Sequence, residues 1–179
     1  MDYKMNIWLL AGYAGSGKTT AATILQTYLP KSKLTAFAKR VKDDVAKQYN
    51  IDRELLETQE GKSSFIQDKT VRDILIEYSA KHKEDTQNPS IWAEYVRDEI
   101  LQSHNVEHWI IHDWRYSAEY QTLLTIANVT TIRILNPSVC PSNSPSEHEL
   151  DNVITDYVVK NSGSMEEFDI RLQEIIYKS

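Results

Sequence analysis

A glycine-rich loop near the start of the chain limits the folds that this sequence can adopt. Three of the five glycines fall within residues 12–17, and the loop matches the pattern G-x-x-x-x-G-K-[ST] at every required position. An apolar run over residues 5–11 precedes it, and residues 17–29 have the pattern of a helix. This strand–loop–helix context predicts an α/β domain with a parallel sheet. The loop reads Gly12-Tyr13-Ala14-Gly15-Ser16-Gly17-Lys18-Thr19.

The residue types in this loop suit the binding of a nucleoside triphosphate. Glycines allow the backbone N–H groups to turn inward around a phosphate, and the following helix presents its N-terminus to the same anion. Lys18 supplies a positive charge to the β- and γ-phosphates, and the Thr19 hydroxyl can bind Mg²⁺. We therefore predict ATP with Mg²⁺ as the ligand. The predicted ATP-binding residues are Gly12, Ala14, Gly15, Ser16, Gly17, Lys18, Thr19 and Thr20.

Strand and helix patterns alternate along the rest of the chain. This alternation predicts a three-layer P-loop NTPase fold with a parallel sheet of about five strands and right-handed crossovers. No linker or repeat interrupts it, so residues 1–179 are predicted to form one domain. Strands are expected over residues 5–11, 34–38, 108–112, 129–135 and 156–160. Helices are expected over residues 17–29, from 39 to about 49, over 69–83, from 89 to about 104, over 116–127, and after Ser164 at the end of the sequence.

Several details of these elements are specific enough to test. The first helix should bury Ala21, Leu25 and Tyr28 on one face. Ser164 is a suitable N-cap for the final helix, whose apolar stripe contains Met165, Phe168, Leu172 and Ile175. Residues 51–68 are weakly patterned and are expected to form a connector with one helical turn, and the segment 136–146 should lack regular structure.

Composition excludes several classes of protein. The net charge of −6 argues against bulk electrostatic binding of nucleic acid. The single cysteine, Cys140, cannot form an internal disulfide or a multi-thiolate metal site. No apolar run approaches the roughly 18 residues that span a bilayer, and the apolar stretch at the start is too short for a signal peptide. We therefore expect a cytoplasmic protein that binds no membrane.

An acidic residue after the apolar stretch 108–112 is a second candidate for the site. Asp113 follows this predicted strand, where a P-loop protein needs a carboxylate for the metal shell. Arg115 should project from the same strand end, at the edge where α/β sheets bind ligands, and could brace transferring phosphates. A purely structural alternative is that Asp113 only caps the helix that begins near Tyr116.

At this point the sequence resembles the phage-type deoxynucleoside monophosphate kinases. The stretch Asp113-Trp-Arg115-Tyr116-Ser-Ala-Glu119 is similar to their D-x-R-[FY]-x-x-E signature. Further segments resemble that family in the same order along nearly the whole chain. They are Phe37-Ala38-Lys-Arg-Val-Lys42, Val71-Arg72-Asp-Ile-Leu75 with Trp92, His148-Glu-Leu-Asp151, and Asp156-Tyr-Val-Val-Lys-Asn161-Ser-Gly163.

The resemblance implies roles for residues outside the glycine loop. Lys42 and Arg72 would bind the acceptor monophosphate, and Arg115 would contact both acceptor and donor. Phe37 and Trp92 would belong to the acceptor pocket. Asn161 would lie near the donor base, a helical region over about 39–104 would bind the acceptor, and a loop over about 136–152 would act as a lid. The family's reaction makes Lys18, Asp113 and Arg115 the catalytic residues and Thr19 and Asp113 the magnesium ligands.

Each of these roles has a structural alternative. Lys42 lies in a charged run typical of a solvated helix face, and Arg72 could pair with Asp68 or Glu77. Phe37 and Trp92 could be core residues. From Asn136 to Asp151 there is no arginine or lysine, so the loop lacks the cations of many kinase lids and could be an inert loop.

The leading functional hypothesis is transfer of the γ-phosphoryl group of ATP to a deoxynucleoside monophosphate. One alternative is a P-loop kinase for another small acceptor, such as a modified nucleotide, phosphomevalonate or dephospho-coenzyme A. Another is a non-kinase NTP-binding switch. If the chain is phage-encoded, as the resemblance implies, it would act in the host cytoplasm. The sequence does not specify the oligomeric state, and a homodimer is one possibility.

Overall fold

In the computed structural model, which describes residues 5–178, seven strands form two sheets. Five strands pair in parallel in the order β2-β5-β1-β6-β7, which confirms the predicted sheet. The other two form a short antiparallel pair, β3-β4. The strands are β1 (Asn6–Ala11), β2 (Ser32–Thr35), β3 (Phe65–Ile66), β4 (Lys69–Thr70), β5 (His108–Ile111), β6 (Asn128–Leu135) and β7 (Tyr157–Lys160).

Helices connect the strands of the larger sheet, as parallel pairing requires. They are α1 (Lys18–Tyr28), α2 (Ala38–Tyr49), α3 (Gln59–Ser63), α4 (Val71–Asp85), α5 (Ile91–Gln102), α6 (Ser117–Leu124), α7 (Pro145–His148) and α8 (Met165–Ile176), and a 3-10 turn covers Arg53–Leu56. Within residues 5–178, no helix is both long and apolar enough to cross a membrane.

The chain divides into two compact units. One, the sheet unit, comprises the residues up to Ala36 and those from Val96 onward, and the other, the helical unit, comprises Phe37–Tyr95. The larger sheet and the glycine loop belong to the sheet unit. The β3-β4 pair and helices α2, α3 and α4 belong to the helical unit.

Both faces of the larger sheet are buried. Trp8 and Leu10 of β1 pack in one cluster with Leu25 of α1 and Leu172 of α8. Successive strand residues point to opposite faces, and the intervening residues Ile7, Leu9 and Ala11 are also fully buried. A sheet covered on both faces explains why β1 is an unbroken apolar run rather than an alternating one.

The helical unit has its own apolar core, composed of Val41, Val45, Leu56, Val71, Ile74 and Trp92. Gly61 in α3 is required by a close backbone approach, because a Cβ atom there would overlap the carbonyl oxygen of Leu55. The Thr70 hydroxyl accepts a hydrogen bond from the Asp73 N–H, and the Asp73 carboxylate accepts one from the Thr70 N–H. This capping box fixes the start of α4.

Several element predictions need correction. Residues 51–68 contain a 3-10 turn, a short helix and half of a strand pair, so they are more ordered than a connector. The second strand ends at Thr35 instead of residue 38, and the segment 136–146 runs into the four-residue helix α7. Tyr28 is 40% exposed and Met165 is 61% exposed, so neither belongs to the buried stripe assigned to it. Ser164 is the N-cap of α8 as predicted.

Candidate active site

The glycine loop connects β1 to α1 at the carboxyl edge of the sheet. Gly17 is the N-cap of α1 and has φ of +102°, a conformation that L side chains rarely adopt. The Asn161 amide, from the segment after β7, donates to the Ser16 carbonyl over 2.9 Å. A Cβ atom at Gly17 would overlap that amide. The predicted ATP ligand Asn161 therefore supports the backbone of the loop.

Lys18 lies folded against the loop that it follows. Its Nζ atom donates to the carbonyl oxygens of Gly12, over 2.6 Å, and Tyr13, over 2.8 Å. Burial, followed by repulsion from Arg115, lowers the Lys18 pKa to about 8, although the carboxylates of Glu147 and Asp113 act in the opposite direction. The ammonium group is therefore held within a partly desolvated cluster of charges, where an anion would stabilise it.

Three hydroxyl groups lie in the loop and in the first turn of α1. The Ser16 hydroxyl is buried, and it has no hydrogen-bond partner within the described part of the chain. Thr19 and Thr20 lie in the first turn of α1, with Thr19 exposed and Thr20 half-buried. The loop thus presents a hydroxyl at its centre and another at its exposed end.

Asp113 and Arg115 follow β5, the strand that pairs directly with β1. This neighbouring strand end is where a second acidic group of a P-loop site is expected. The carboxylate of Glu119 accepts hydrogen bonds from the backbone N–H groups of Arg115 and Tyr116, over 2.9 and 3.0 Å, and so caps α6. The capping role considered for Asp113 is filled by Glu119.

The side chain of Arg115 points toward the segment between β6 and β7. Its Nη1 atom lies 3.5 Å from Ser146 Oγ and 3.6 Å from Glu147 Oε1. The same Glu147 oxygen accepts a hydrogen bond from the Ala14 N–H of the glycine loop over 3.0 Å. A small pocket at this point is lined by Gly12, Tyr13, Trp114, Arg115, Arg133, Leu135, Ser146, Glu147 and Leu150.

Sequence reasoning missed Glu147. From Asn136 to Asp151 the loop contains none of the cations that many kinase lids carry, and so it gave no sign of a contact with the glycine loop. The informative signal was its acidic residues, because a carboxylate can interact with the same N–H groups and cations that bind a phosphate. The acidic residues of this loop are Glu147, Glu149 and Asp151.

Lys42, a predicted acceptor residue, lies in the helical unit. Its Nζ atom lies 2.5 Å from a Glu57 carboxylate oxygen, and Arg53 contacts the other oxygen of that carboxylate. Burial favours the neutral form of Glu57, but the hydrogen bonds from Lys42 and Arg53 outweigh it and hold its pKa below the usual value. Lys42 is thus paired with a carboxylate that is itself half exposed.

Three more predicted acceptor residues, Arg72, Phe37 and Trp92, belong to the same unit, while Arg115 belongs to the sheet unit. Arg72 donates to the Gln59 side-chain oxygen over 2.5 Å, while Glu77, one of the partners considered for it, pairs with Lys69. Phe37 and Trp92 are each 4% exposed. The Trp92 ring stacks on His82, with centroids 4.7 Å apart, and packs in the core of the unit. The roles of these residues toward an acceptor stay predictions.

No histidine is among the predicted site residues. His108 accepts a hydrogen bond from the Trp8 indole over 3.3 Å, and burial lowers its pKa. Within residues 5–178, no group of three or more histidine, cysteine, aspartate or glutamate side chains could hold a metal ion. Cys140 is exposed on the loop 136–152.

No family model matches the chain, and no curated protein matches it in sequence. Among solved structures, thymidylate kinase from Candida albicans aligns with 98% of this chain and 92% of its own, with a TM-score of 0.56 and 17% identity. TT1252 from Thermus thermophilus aligns over 98% and 97%, with a TM-score of 0.54 and 14% identity. Dephospho-CoA kinase from Campylobacter jejuni aligns over 97% of both chains, with a TM-score of 0.50 and 18% identity.

These similarities concern architecture, since all three identities are below 20%. The five-stranded parallel sheet, the glycine loop after its central strand and the alignment over nearly full length agree with one another. The chain therefore has the P-loop NTPase fold.

Proposed function

We propose that this protein is a P-loop kinase that transfers the γ-phosphoryl group of ATP to a deoxynucleoside monophosphate. The observation that carries the proposal is the set of charges around the glycine loop. Lys18 lies on the loop, and Arg115 and Asp113 follow the adjacent strand β5 and influence the charge of Lys18. A phosphoryl transfer of this kind depends on positioning and charge stabilisation rather than on a covalent intermediate.

The donor triphosphate is assigned to the glycine loop. Backbone N–H groups such as that of Ala14 would donate to its phosphate oxygens, and the buried Ser16 hydroxyl has the same capacity. Lys18 would exchange its contacts with the Gly12 and Tyr13 carbonyls for contacts with the phosphates. The lowered pKa of Lys18 supports this assignment, because a nearby anion stabilises a desolvated ammonium group.

The residues present also fit a magnesium ion. The Thr19 hydroxyl and the Asp113 carboxylate are hard oxygen ligands, and Mg²⁺ in such kinases is held by few protein groups together with substrate phosphates. When bound, the ion would neutralise charge on the donor phosphates. Asp113 and Thr19 would supply the protein's part of its coordination.

The acceptor is assigned to the helical unit, on the resemblance to phage-type deoxynucleoside monophosphate kinases. Lys42 and Arg72 would bind the acceptor phosphate. An oxygen of that phosphate would form a bond to the γ-phosphorus while the bond from the γ-phosphorus to the bridging oxygen breaks, giving ADP and a deoxynucleoside diphosphate. The attacking oxygen is already ionised at neutral pH, so no general base is required.

The experiment that tests the proposal is a coupled assay of ADP release with ATP and Mg²⁺ against a panel of deoxynucleoside and nucleoside monophosphates. Stimulation by one or more deoxynucleoside monophosphates supports it. If only another class of acceptor, such as dephospho-coenzyme A or phosphomevalonate, stimulates ADP release, the proposed acceptor is wrong and the proposed phosphoryl transfer from ATP is retained. Slow, acceptor-independent hydrolysis would favour an NTP-binding switch instead. The Lys18→Ala protein, purified identically, controls for contaminating kinases.

A further inference from the structure

The loop 136–152, between β6 and β7, lies over the glycine loop and is joined to it at three points. The Glu147 carboxylate accepts from the Ala14 N–H over 3.0 Å. The Tyr13 hydroxyl donates to Asp151 over 2.9 Å. The rings of Tyr13 and His148 lie 5.9 Å apart. These contacts join residues more than 130 positions apart in sequence, so they depend on the tertiary fold.

Glu147 is held firmly in this position. Its side chain is only 5% exposed, and its second oxygen accepts hydrogen bonds from the Ser142 N–H and hydroxyl, over 3.0 and 3.3 Å. Burial favours the neutral form, but the N–H donors of Ser142 and Ala14 and the charge of Arg115 outweigh it. The Glu147 pKa therefore lies below its usual value, and the group is a carboxylate at neutral pH.

An ionised carboxylate in contact with a P-loop N–H group and an arginine has the surroundings that a phosphate oxygen would have. We propose that the loop 136–152 is an autoinhibitory latch, in which Glu147 occupies a phosphate-binding position of the glycine loop and must leave before the donor nucleotide binds. This inference rests on the proposed function only in requiring that the glycine loop binds a nucleotide.

The far end of the latch is anchored. The Nη2 atom of Arg133, on β6, donates to the carbonyl oxygens of Leu150 and Val153, over 2.5 and 3.0 Å. Leu150 itself is 5% exposed. Opening therefore needs movement of the residues between the end of β6 and Leu150 and release of the Asp151 side chain from Tyr13, while the anchored backbone stays in place and returns the loop to the same position after nucleotide leaves.

If only a fraction of the protein molecules is able to bind a ligand, the apparent dissociation constant equals the intrinsic constant divided by that fraction. A hydrogen bond from an N–H group to a carboxylate is strong enough to keep the latch closed about nine-tenths of the time. Glu147→Gln keeps the shape of the side chain but removes its charge, and it should tighten the binding of ADP and of a non-hydrolysable ATP analogue by up to about tenfold, the limit reached when the latch is fully open.

The experiment is calorimetric titration of ADP, without acceptor, into the wild-type protein and three variants. Glu147→Gln is the principal variant. Glu149→Gln is the matched control, because Glu149 is exposed on the same loop and loses the same charge; it should bind ADP as the wild type does. Asp151→Asn weakens the latch at Tyr13, away from the Ala14 N–H and Arg115, and should tighten ADP binding about two- to threefold.

The outcomes separate the latch from the proposed function. Equal ADP affinity in wild type, Glu147→Gln and Asp151→Asn would overturn the latch and leave the kinase proposal intact. Weaker ADP binding and a lower kcat in Glu147→Gln would also overturn it, and would assign Glu147 to positioning Arg115. No ADP binding by any of the four proteins would remove the donor-site assignment, and the latch with it. Faster hydrogen exchange at the Ala14 amide in Glu147→Gln is the second expected result.

Discussion

The charged groups of the two units are neutralised in different ways. In the sheet unit, Glu147 reaches the Ala14 N–H across 133 positions of sequence, and its side chain is almost fully buried. In the helical unit, Lys42 pairs with Glu57 only 15 positions away, and that carboxylate is 53% exposed. The Lys42–Glu57 pair is local and its carboxylate is open to water, whereas the buried contact of Glu147 joins distant segments and exists only if the fold places it.

This difference predicts that substitutions in the sheet unit mainly change chemistry and nucleotide binding, while those in the helical unit divide between stability and acceptor binding.

Lys18→Ala should lower kcat/KM by about a thousandfold or more while the protein stays folded, because the substitution removes the cation that follows the transferred group. Asp113→Asn should have an effect of similar size by weakening the magnesium site. Both are measured in the coupled ADP assay, with circular dichroism to check folding. Lys178→Ala, at the exposed end of the chain, is the control and should behave as wild type. If either principal variant has normal turnover, the assignment of the substituted residue to the active site is wrong.

Gly61→Ala should destabilise the protein by about 1–3 kcal/mol, because the added methyl group overlaps the Leu55 carbonyl oxygen, a backbone atom that cannot rotate away. Urea unfolding measures the change. Ala80→Gly, at an exposed position of α4, is the comparison variant. It changes a helix residue without adding any atoms, and it should lower the free energy of unfolding by about 1 kcal/mol. An unchanged midpoint for Gly61→Ala would show that this close approach is not maintained in solution.

Lys42→Gln should raise the KM for the acceptor about tenfold and leave the KM for ATP unchanged, since the ammonium group is assigned to the acceptor phosphate. Glu57→Gln should do the opposite and lower the acceptor KM, because the carboxylate competes for the same cation. An acceptor KM that neither variant changes would make the pair a surface ion pair only.

The smallest effect concerns pH. The Lys18 pKa is lowered to about 8 in the free protein, and a bound phosphate would raise it. Nucleotide binding near pH 8 should therefore take up a fraction of a proton, and affinity should fall as pH rises above 8. Calorimetry in two buffers of different ionisation enthalpy measures the uptake. Proton release on binding, or affinity that is constant from pH 7 to 9, would contradict the placement of phosphate at Lys18.

Much of the sheet unit could be predicted because its signals are local. The apolar run of β1, the glycine loop and Ser164 before α8 each specify a backbone conformation from a few neighbouring residues. The ordered segment 51–68 could not be predicted in this way. Its short elements depend on Leu56 reaching the core of the helical unit and on Gly61 approaching a backbone carbonyl, and neither leaves a periodic pattern.

The same reason explains what was missed at the site. The loop pattern specifies Lys18, and the end of a strand specifies Asp113, before any distance is known. Glu147 is one acidic residue among several in an irregular loop, and only the fold brings it to the Ala14 N–H. Tyr28 and Met165 show that a local pattern can also mislead. Each continues the apolar stripe of a helix, but Tyr28 is the last residue of α1 and Met165 is the first residue of α8, and both are exposed.

The position of Cys140 has a practical consequence. It is the only cysteine of the chain, it is exposed, and it lies on the loop that carries Glu147. A thiol-reactive fluorophore or spin label would therefore attach at one site without any prior mutagenesis. The natural sequence thus supplies a single-position reporter, and the rate and extent of loop opening become measurable in real time by stopped-flow mixing.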